Sequence, residues 1–358
     1  MRFLLSGYYG FNNVGDEAVL AAIITNLQHH YPAAQICVLS ADPEATRTLH
    51  QVDAIQRWSI REVWKALGRA DMLLQGGGGL YQDSTSRISP VYYMGILRMA
   101  RLRKVPAVCL AQGFGPLNTP VLRRLVANEY RHLKAITLRE PQAISQLKEL
   151  GVISPTPVLV GDPALLLAPR LEQCTQDIKA LCLDPTVPRI LLTIRQWPET
   201  DNAISACRSI LEHYTSQGWQ GIVAAFQQPD DKIPARLIAA GIPNCTVLPT
   251  TAATHPAILA GHVASSQLVV SMRLHGLIFA AAQAVPAVGI SYDPKVQAFC
   301  ELAKRPWVDA KKCTGSELIN AAEEQLARKP GELEKTAEEL KASAELSFNL
   351  IDDMVNQL

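Results

Sequence analysis

Short runs of leucine and β-branched residues recur along this chain, and between them apolar residues return every third or fourth position. In the first half the runs fall at residues 3–6, 35–40, 71–75, 107–111, 135–138 and 157–160. Longer helical patterns separate them, beginning with 17–27. Strands without strict alternation, joined by amphipathic helices, predict a parallel sheet covered on both faces. The rhythm pauses over 163–188, where Pro163, Pro169, Pro185 and Pro188 interrupt it. It restarts with strand candidates at 190–194, 221–226, 246–248, 268–271 and 287–290. The expected fold is therefore α/β, with two doubly wound domains, 1–168 and 169–331, facing a central cleft. Open parallel sheets take their ligands outside the carboxyl ends of their strands. Residues 332–358 read as one long helix. Its apolar stripe (Leu333, Ala337, Leu340, Ala344, Ile351, Met354 and Leu358, with Ser347 in the gap) fits docking onto the body.

Composition narrows the class. A chain of 358 residues suits two domains, and 48% hydrophobic with 19% charged residues is globular. A net charge of +1 gives no whole-chain reason to expect nucleic-acid binding. The eight cysteines are scattered, with no Cys-x-x-Cys pair, and Met1 to Ser6 leads into a Gly/Asn turn without a signal-peptide core. Reduced thiols in a cytoplasmic protein are expected. The most apolar stretch, 277–290, is interrupted by Gln283 and Pro286, so any membrane contact is expected to be peripheral. No His/Cys/Asp cluster has metal-ligand spacing, and no metal is expected.

Candidate chemistry gathers where strands end. Gly7-Tyr8-Tyr9-Gly10-Phe11-Asn12-Asn13-Val14-Gly15-Asp16-Glu17 follows the first strand and opens the first helix. Its glycines let backbone approach a ligand, although a tight turn with an acidic helix start accounts for it equally. Its spacing is not that of the dinucleotide fingerprint. Gln75-Gly76-Gly77-Gly78-Gly79 directly follows a buried strand and holds more glycines than a turn requires. Gln112-Gly113-Phe114-Gly115-Pro116 follows another. In the second half Arg195 ends a strand, and Ser271-Met272-Arg273-Leu274-His275-Gly276 turns a strand into a helix. An arginine fork suits phosphate or carboxylate, and a histidine exchanges protons near neutral pH. Tyr292-Asp293-Pro294-Lys295 adds a further cation, with Asp293 equally suited to cap a helix. Between Ser89 and Lys134 the only acid is Glu129, among Arg98, Arg101, Arg103, Lys104, Arg123, Arg124, Arg131 and Lys134. This fits either solvated basic helix faces or a surface for an anionic membrane.

Together these motifs, with Thr137-Leu138-Arg139-Glu140, Gly161-Asp162-Pro163-Ala164 and residues 290–295, resemble the polysaccharide pyruvyl transferase family, most closely its CsaB-type bacterial members. Arg273-Leu274-His275 is the most specific element, and Glu140 departs from the aspartate expected after the arginine. The resemblance implies two Rossmann-like domains in a GT-B-like arrangement. It also implies phosphoenolpyruvate as co-substrate without a cofactor, and a pyruvyl ketal placed on a glycan acceptor, often a lipid-linked cell-wall precursor. Arg195, Arg273 and His275 would be the catalytic donor-site residues, with Gly276 and Lys295 beside them. Two anions on the donor call for two cations, and ketal formation needs a proton on the methylene carbon, for which His275 is the candidate acid. Asn13, Asp16, Gly77, Gly78, Asp83 and Gln112 are the candidates for the sugar hydroxyls, with Asp16 or Asp83 as a proton acceptor. A glycosyltransferase using a nucleotide sugar would suit the same fold, and so would a non-enzymatic anion sensor.

Overall fold

The computed structural model describes residues 1–83, 88–198, 201–329 and 331–356. The chain divides into two compact units: Met1–Phe11 with Val19–Leu166 and Ala342–Leu358, and Asn12–Ala18 with Leu167–Lys341. Leu358, the last position of the predicted terminal stripe, lies outside the described residues.

In order, the first half runs β1 (Arg2–Ser6), α1 (Val14–His30), β2 (Gln35–Ser40), α2 (Pro43–His50), β3 (Asp53–Gln56), α3 (Ile60–Leu67), β4 (Met72–Gly76), β5 (Gly79–Tyr81), α4 (Ile88–Leu102), β6 (Ala107–Phe114), α5 (Pro120–Tyr130), β7 (Ala135–Leu138), α6 (Pro141–Glu149) and β8 (Val158–Leu159). A short 3-10 turn, Pro163–Leu166, precedes the second half. There follow α7 (Leu171–Ala180), β9 (Arg189–Thr193), α8 (Asp201–Ser216), β10 (Gln220–Ala224), α9 (Lys232–Ala239), β11 (Cys245–Val247), α10 (Pro256–Ala264), β12 (Leu268–Ser271), α11 (Leu274–Ala282), β13 (Ala287–Ser291), α12 (Pro294–Leu302), β14 (Trp307–Asp309), α13 (Gly315–Leu326) and α14 (Glu332–Val355).

Every strand pair is parallel. The first sheet is ordered β3-β2-β1-β4-β6-β7-β8, with β5 added beside β6, and the second β11-β10-β9-β12-β13-β14. Each reverses direction once, between β1 and β4 and between β9 and β12, as doubly wound sheets do. In the first unit α3 to α6 bury Val63, Leu67, Tyr93, Leu97, Val126 and Leu147 against one sheet face. In the second, α8, α9 and α13 bury Ile210, Ile238 and Leu318 likewise. The terminal helix buries Leu333, Ala337, Leu340, Ala344 and Ile351, and in the first unit Asp352 accepts from Tyr31 and pairs with His30 at 2.7 Å.

One boundary shifts the reading of a motif. β6 runs through Gln112 to Phe114, where a strand end was expected. A register slip against β7 follows Cys109, and Ala111 takes a positive φ of 44° with its N–H on Thr137 Oγ1 at 2.7 Å. Gln112 is then fully buried. All eight cysteines are free thiols, and Cys182 is the exposed one. Burial pushes the other seven above their ordinary value, Cys37, Cys245 and Cys313 to about 11 and Cys109 and Cys300 to about 12.

Candidate functional site

The point where a doubly wound sheet reverses is where the two flanking loops part and leave room for a ligand. In the second unit β9 ends one residue before Ile194-Arg195, and β12 ends one residue before Met272-Arg273. The two arginines singled out in the sequence therefore leave the two strands that flank the reversal. Thr193 and Ser271 hydroxyls lie 2.5 Å apart there, and Ser271 Oγ donates to the Arg273 carbonyl at 2.6 Å. This fixes the backbone from which α11 starts.

The Arg273 side chain does not meet expectation in one respect. Its fork is closed on Asp231: Nε donates to Oδ2 at 2.8 Å and a terminal nitrogen to Oδ1 at 2.5 Å. Asp231 is fully buried and also accepts the N–H of Phe226 (3.2 Å) and Gln227 (2.9 Å). Among the described residues only the other terminal nitrogen of Arg273, with no hydrogen bond of its own, is left for a ligand. Gly276 is needed by packing: a Cβ there would come within 2.4 Å of Ser271 Oγ, and its N–H donates to the Arg273 carbonyl at 3.0 Å. Arg195 is half-buried. It donates to Tyr292 Oη at 2.7 Å, lies over the Trp197 and Tyr292 rings, and among the described residues has no carboxylate at ion-pair distance. The Lys295 ammonium sits 3.3 Å from Asp293, which also caps α12.

His275 is half-buried on the first turn of α11 and lies against Gly15. A Cβ on Gly15 would come within 2.2 Å of the imidazole Nδ1. The end of the first motif thus belongs with the second unit, whereas Asn13 and Asp16 were expected on the first domain. The reason is local pairing: Val14 N–H donates to the Phe226 carbonyl at 3.0 Å, Asn13 bridges Gln227, and Gln228 N–H donates to the Asn12 carbonyl at 3.3 Å. Asn13 Oδ1 accepts from Gly15 N–H at 3.0 Å and so caps α1. One loop, 226–231, holds both the start of α1 and, through Asp231, the Arg273 fork.

In the first unit the reversal is flanked by Gly7 after β1 and Gly77 after β4. Gly77 and Gly78 take positive φ angles of 72° and 70°, and a Cβ on Gly77 would press into Val19 at 2.6 Å. Gly7 is held as closely by Tyr9, whose hydroxyl donates to the Gly76 carbonyl at 2.7 Å. Gly79 is exposed with open space around it. Asp83 is already engaged: it accepts from Asn118 and Thr119 N–H at 2.8 and 2.7 Å at the start of α5. Slight burial pushes its carboxyl up, but those hydrogen bonds outweigh it and hold the pKa below the usual value. Gln112 Oε1 accepts from Tyr130 Oη and Cys109 Sγ, both at 2.8 Å. Arg139 pairs with the buried Asp162, and the departing residue Glu140 lies 3.8 Å from Arg139 and beside Gly113.

Sequence reading missed Asp231, Trp197 and Arg57. Asp231 stands in a Pro-Asp-Asp turn after a strand, a signal indistinguishable from an ordinary turn. Arg57, buried, lies over the rings of Phe11, Trp58, Tyr92 and Tyr93 and donates to the Gly7 carbonyl at 3.3 Å.

The sequence model of the polysaccharide pyruvyl transferase family matches residues 13–294. No curated protein matches the chain. Among solved structures, UDP-GlcNAc 2-epimerase from Neisseria meningitidis bound to UDP-GlcNAc is similar at a TM-score of 0.66 and 16% identity, over 99% of this chain and 100% of that one. Anabaena Alr3699/HepE in complex with UDP is similar at 0.62 and 14%, over all of both chains. E. coli ADP-heptose lps heptosyltransferase II is similar at 0.55 and 16%, over 91% and 98%. At these identities the likeness is one of fold, two Rossmann-like domains of the GT-B class.

Proposed function

Because the chain belongs to the polysaccharide pyruvyl transferase family, we propose that it moves the enolpyruvyl group of phosphoenolpyruvate onto a glycan as a ketal. The observation that carries this is the placing of Arg195, Arg273 and His275 where β9 and β12 part. Arg195, which pairs with no carboxylate among the described residues, and the open nitrogen of Arg273 would take the donor's phosphate and carboxylate. Arg273 owes its position to Asp231, so most of its fork orients and the rest binds. Lys295 and the first turn of α11 add positive potential.

His275 would protonate the donor's methylene carbon. The adjacent carbon then gains oxocarbenium character, one sugar hydroxyl adds, phosphate leaves, and a second hydroxyl closes the ketal. One hydroxyl proton balances the proton placed on carbon and the other leaves with phosphate. No oxidation state changes overall, so the reaction calls for no redox cofactor. Gly77, Gly78 and Gly79 at the reversal of the first sheet would receive the acceptor, with backbone N–H groups suited to its anionic part. Asp83 is spent on α5, which leaves Asp16, one residue after the Gly15 that touches His275, as the candidate proton acceptor.

A lipid-linked acceptor would bring the protein to a membrane surface. No helix among the described residues is long and apolar enough to cross one. The outer faces of α3, α4 and α5 expose Ile60, Trp64, Ile88, Val91, Leu102 and Val121. Arg98 and Arg101 pair with Glu129, and Arg61, Lys65, Arg103, Lys104 and Arg124 are exposed cations on or next to these helices.

The test is mass spectrometry of acceptor glycans incubated with phosphoenolpyruvate, reading an added pyruvyl group. His275→Gln should keep donor affinity and lose about 10²–10⁴-fold in turnover. A melting temperature raised by a nucleotide sugar and unmoved by phosphoenolpyruvate would point instead to a glycosyltransferase.

A further inference from the structure

Beside the donor arginine, and wholly within the second unit, lies a cavity of about 220 Å³ at the carboxyl ends of β13 and β14. Trp197, Tyr292 and Trp307 form apolar walls, and Gln297, Asp309 and Lys311 supply polar groups. Of its lining, Trp197, Tyr292 and Asp293 also border the donor-site residues described above, whereas Gln297, Trp307, Asp309 and Lys311 lie outside that account. Its volume is below that of pockets for drug-sized ligands and suits a single small ring.

The lining narrows the ligand. Indole and phenol rings present flat apolar faces, which match the C–H faces of a pyranose. A carboxylate, an amide and an ammonium serve the hydroxyl edge of such a ring as acceptors and donors. Trp197 is 39% exposed, with Arg195 over its ring and Tyr292 tilted against it. The Asp309 carboxylate is exposed and its Oδ1 accepts the Lys311 N–H at 2.8 Å, which aims the carboxylate. An anionic ligand would meet Asp293 and Asp309 in the same wall, so a neutral sugar is favoured over a second phosphate.

We propose that this cavity is a subsite for a neutral or N-acetylated sugar ring of the acceptor, stacked on Trp197 and hydrogen-bonded by Asp309. The assignment rests on the transferase reading above and adds where the sugar sits. Tyr292 joins the two: its ring lines the cavity and its hydroxyl accepts from Arg195. A sugar stacked there is held next to a donor anchor, as transfer to its hydroxyls requires.

Two measurements test this. Saturation-transfer NMR with free glucose, galactose, N-acetylglucosamine and N-acetylmannosamine should show binding of at least one sugar to the full chain. That signal should be lost in Trp197→Ala and in Asp309→Asn. In pyruvyl transfer, Trp197→Ala should raise the acceptor KM on the order of tenfold. Asp309→Asn, which leaves the Arg195 contacts with Trp197 and Tyr292 in place, should also raise the acceptor KM while the phosphoenolpyruvate KM stays within twofold, and Trp197→Phe should recover most of the loss. Wild-type acceptor KM in both variants would overturn the subsite, as would an equal rise of both KM values in Asp309→Asn. A wild-type protein that binds sugar by NMR, loses it in both variants, and yields no pyruvylated product would instead keep the subsite and sink the transferase reading.

Discussion

Replacing Arg273 with alanine removes the two shortest bonds made to a carboxylate that water does not reach. Asp231 is 0% exposed and the arginine side chain 12%. After truncation two backbone N–H groups remain for the carboxylate. Two charge-assisted hydrogen bonds are worth about 3–6 kcal/mol together. Breaking a buried pair by removing one partner costs about 3–5 kcal/mol. The two routes agree near 4 kcal/mol, a large part of the roughly 5–15 kcal/mol that holds a domain together. Urea melts followed by tryptophan fluorescence measure this, because Trp219 and Trp307 lie in the second unit. The midpoint should fall while the slope of the transition stays the same. Pairing Arg273→Met with Asp231→Asn should restore most of the loss, since the stranded charge is then gone. If that double variant folds and still transfers nothing, the open nitrogen of Arg273 touches the donor. Stability of Arg273→Ala within about 1 kcal/mol of wild type would refute the reasoning.

Three further outcomes follow from the geometry. Gly15→Ala should gain up to about 1 kcal/mol of helix propensity, yet its methyl displaces the His275 ring. Turnover should therefore fall with the melt unchanged or improved, and full activity would separate Gly15 from the site. His262 is buried between Asp177 and Cys174, and burial lowers its pKa from 6.5 against the opposing pull of Asp177. As pH falls below 6.5 the unfolded chain takes this proton first, so stability is lost toward acid by at most about 1.4 kcal/mol per pH unit; urea midpoints between pH 7.5 and 5.5 should lose that slope in His262→Gln, and an unchanged slope would assign it elsewhere. Ile88→Asp with Val91→Asp on the outer face of α4 should weaken binding to phosphatidylglycerol vesicles by more than about tenfold, since each apolar side chain contributes about 1.5–3 kcal/mol when buried. Undiminished binding would return that face to solvent.

Legibility from sequence followed burial. The central strands β1, β4, β6, β9 and β12 are buried nearly throughout and read as continuous apolar runs. The edge strands β3 (DAIQ) and β14 (WVD) carry polar residues and gave no such signal. β5 forms from what read as a glycine loop, because pairing with β6 overrides the local preference. The arginines and the histidine stood out because strand ends are visible in a hydropathy pattern. What Arg273 faces was not visible: Asp231 is 42 residues away in sequence, and only the fold brings them together. Gln112 was misread for a related reason, since the bulge at Ala111 that turns it inward is made by partner strands. Asn13 and Asp16 were assigned by their place in the chain, whereas pairing with the 226–231 loop decided where they went.

The cysteines give the molecule an unplanned set of reporters. Electrophiles react with thiolates, and seven of the eight thiols are held protonated by burial, so mild maleimide treatment should label Cys182 first. A dye there sits on the second unit. The buried thiols become reactive only when the structure around them opens. Cys109 then times the opening of the first unit, and Cys207, Cys300 and Cys313 that of the second. Pulsed alkylation read by peptide mass would give the two units separate clocks.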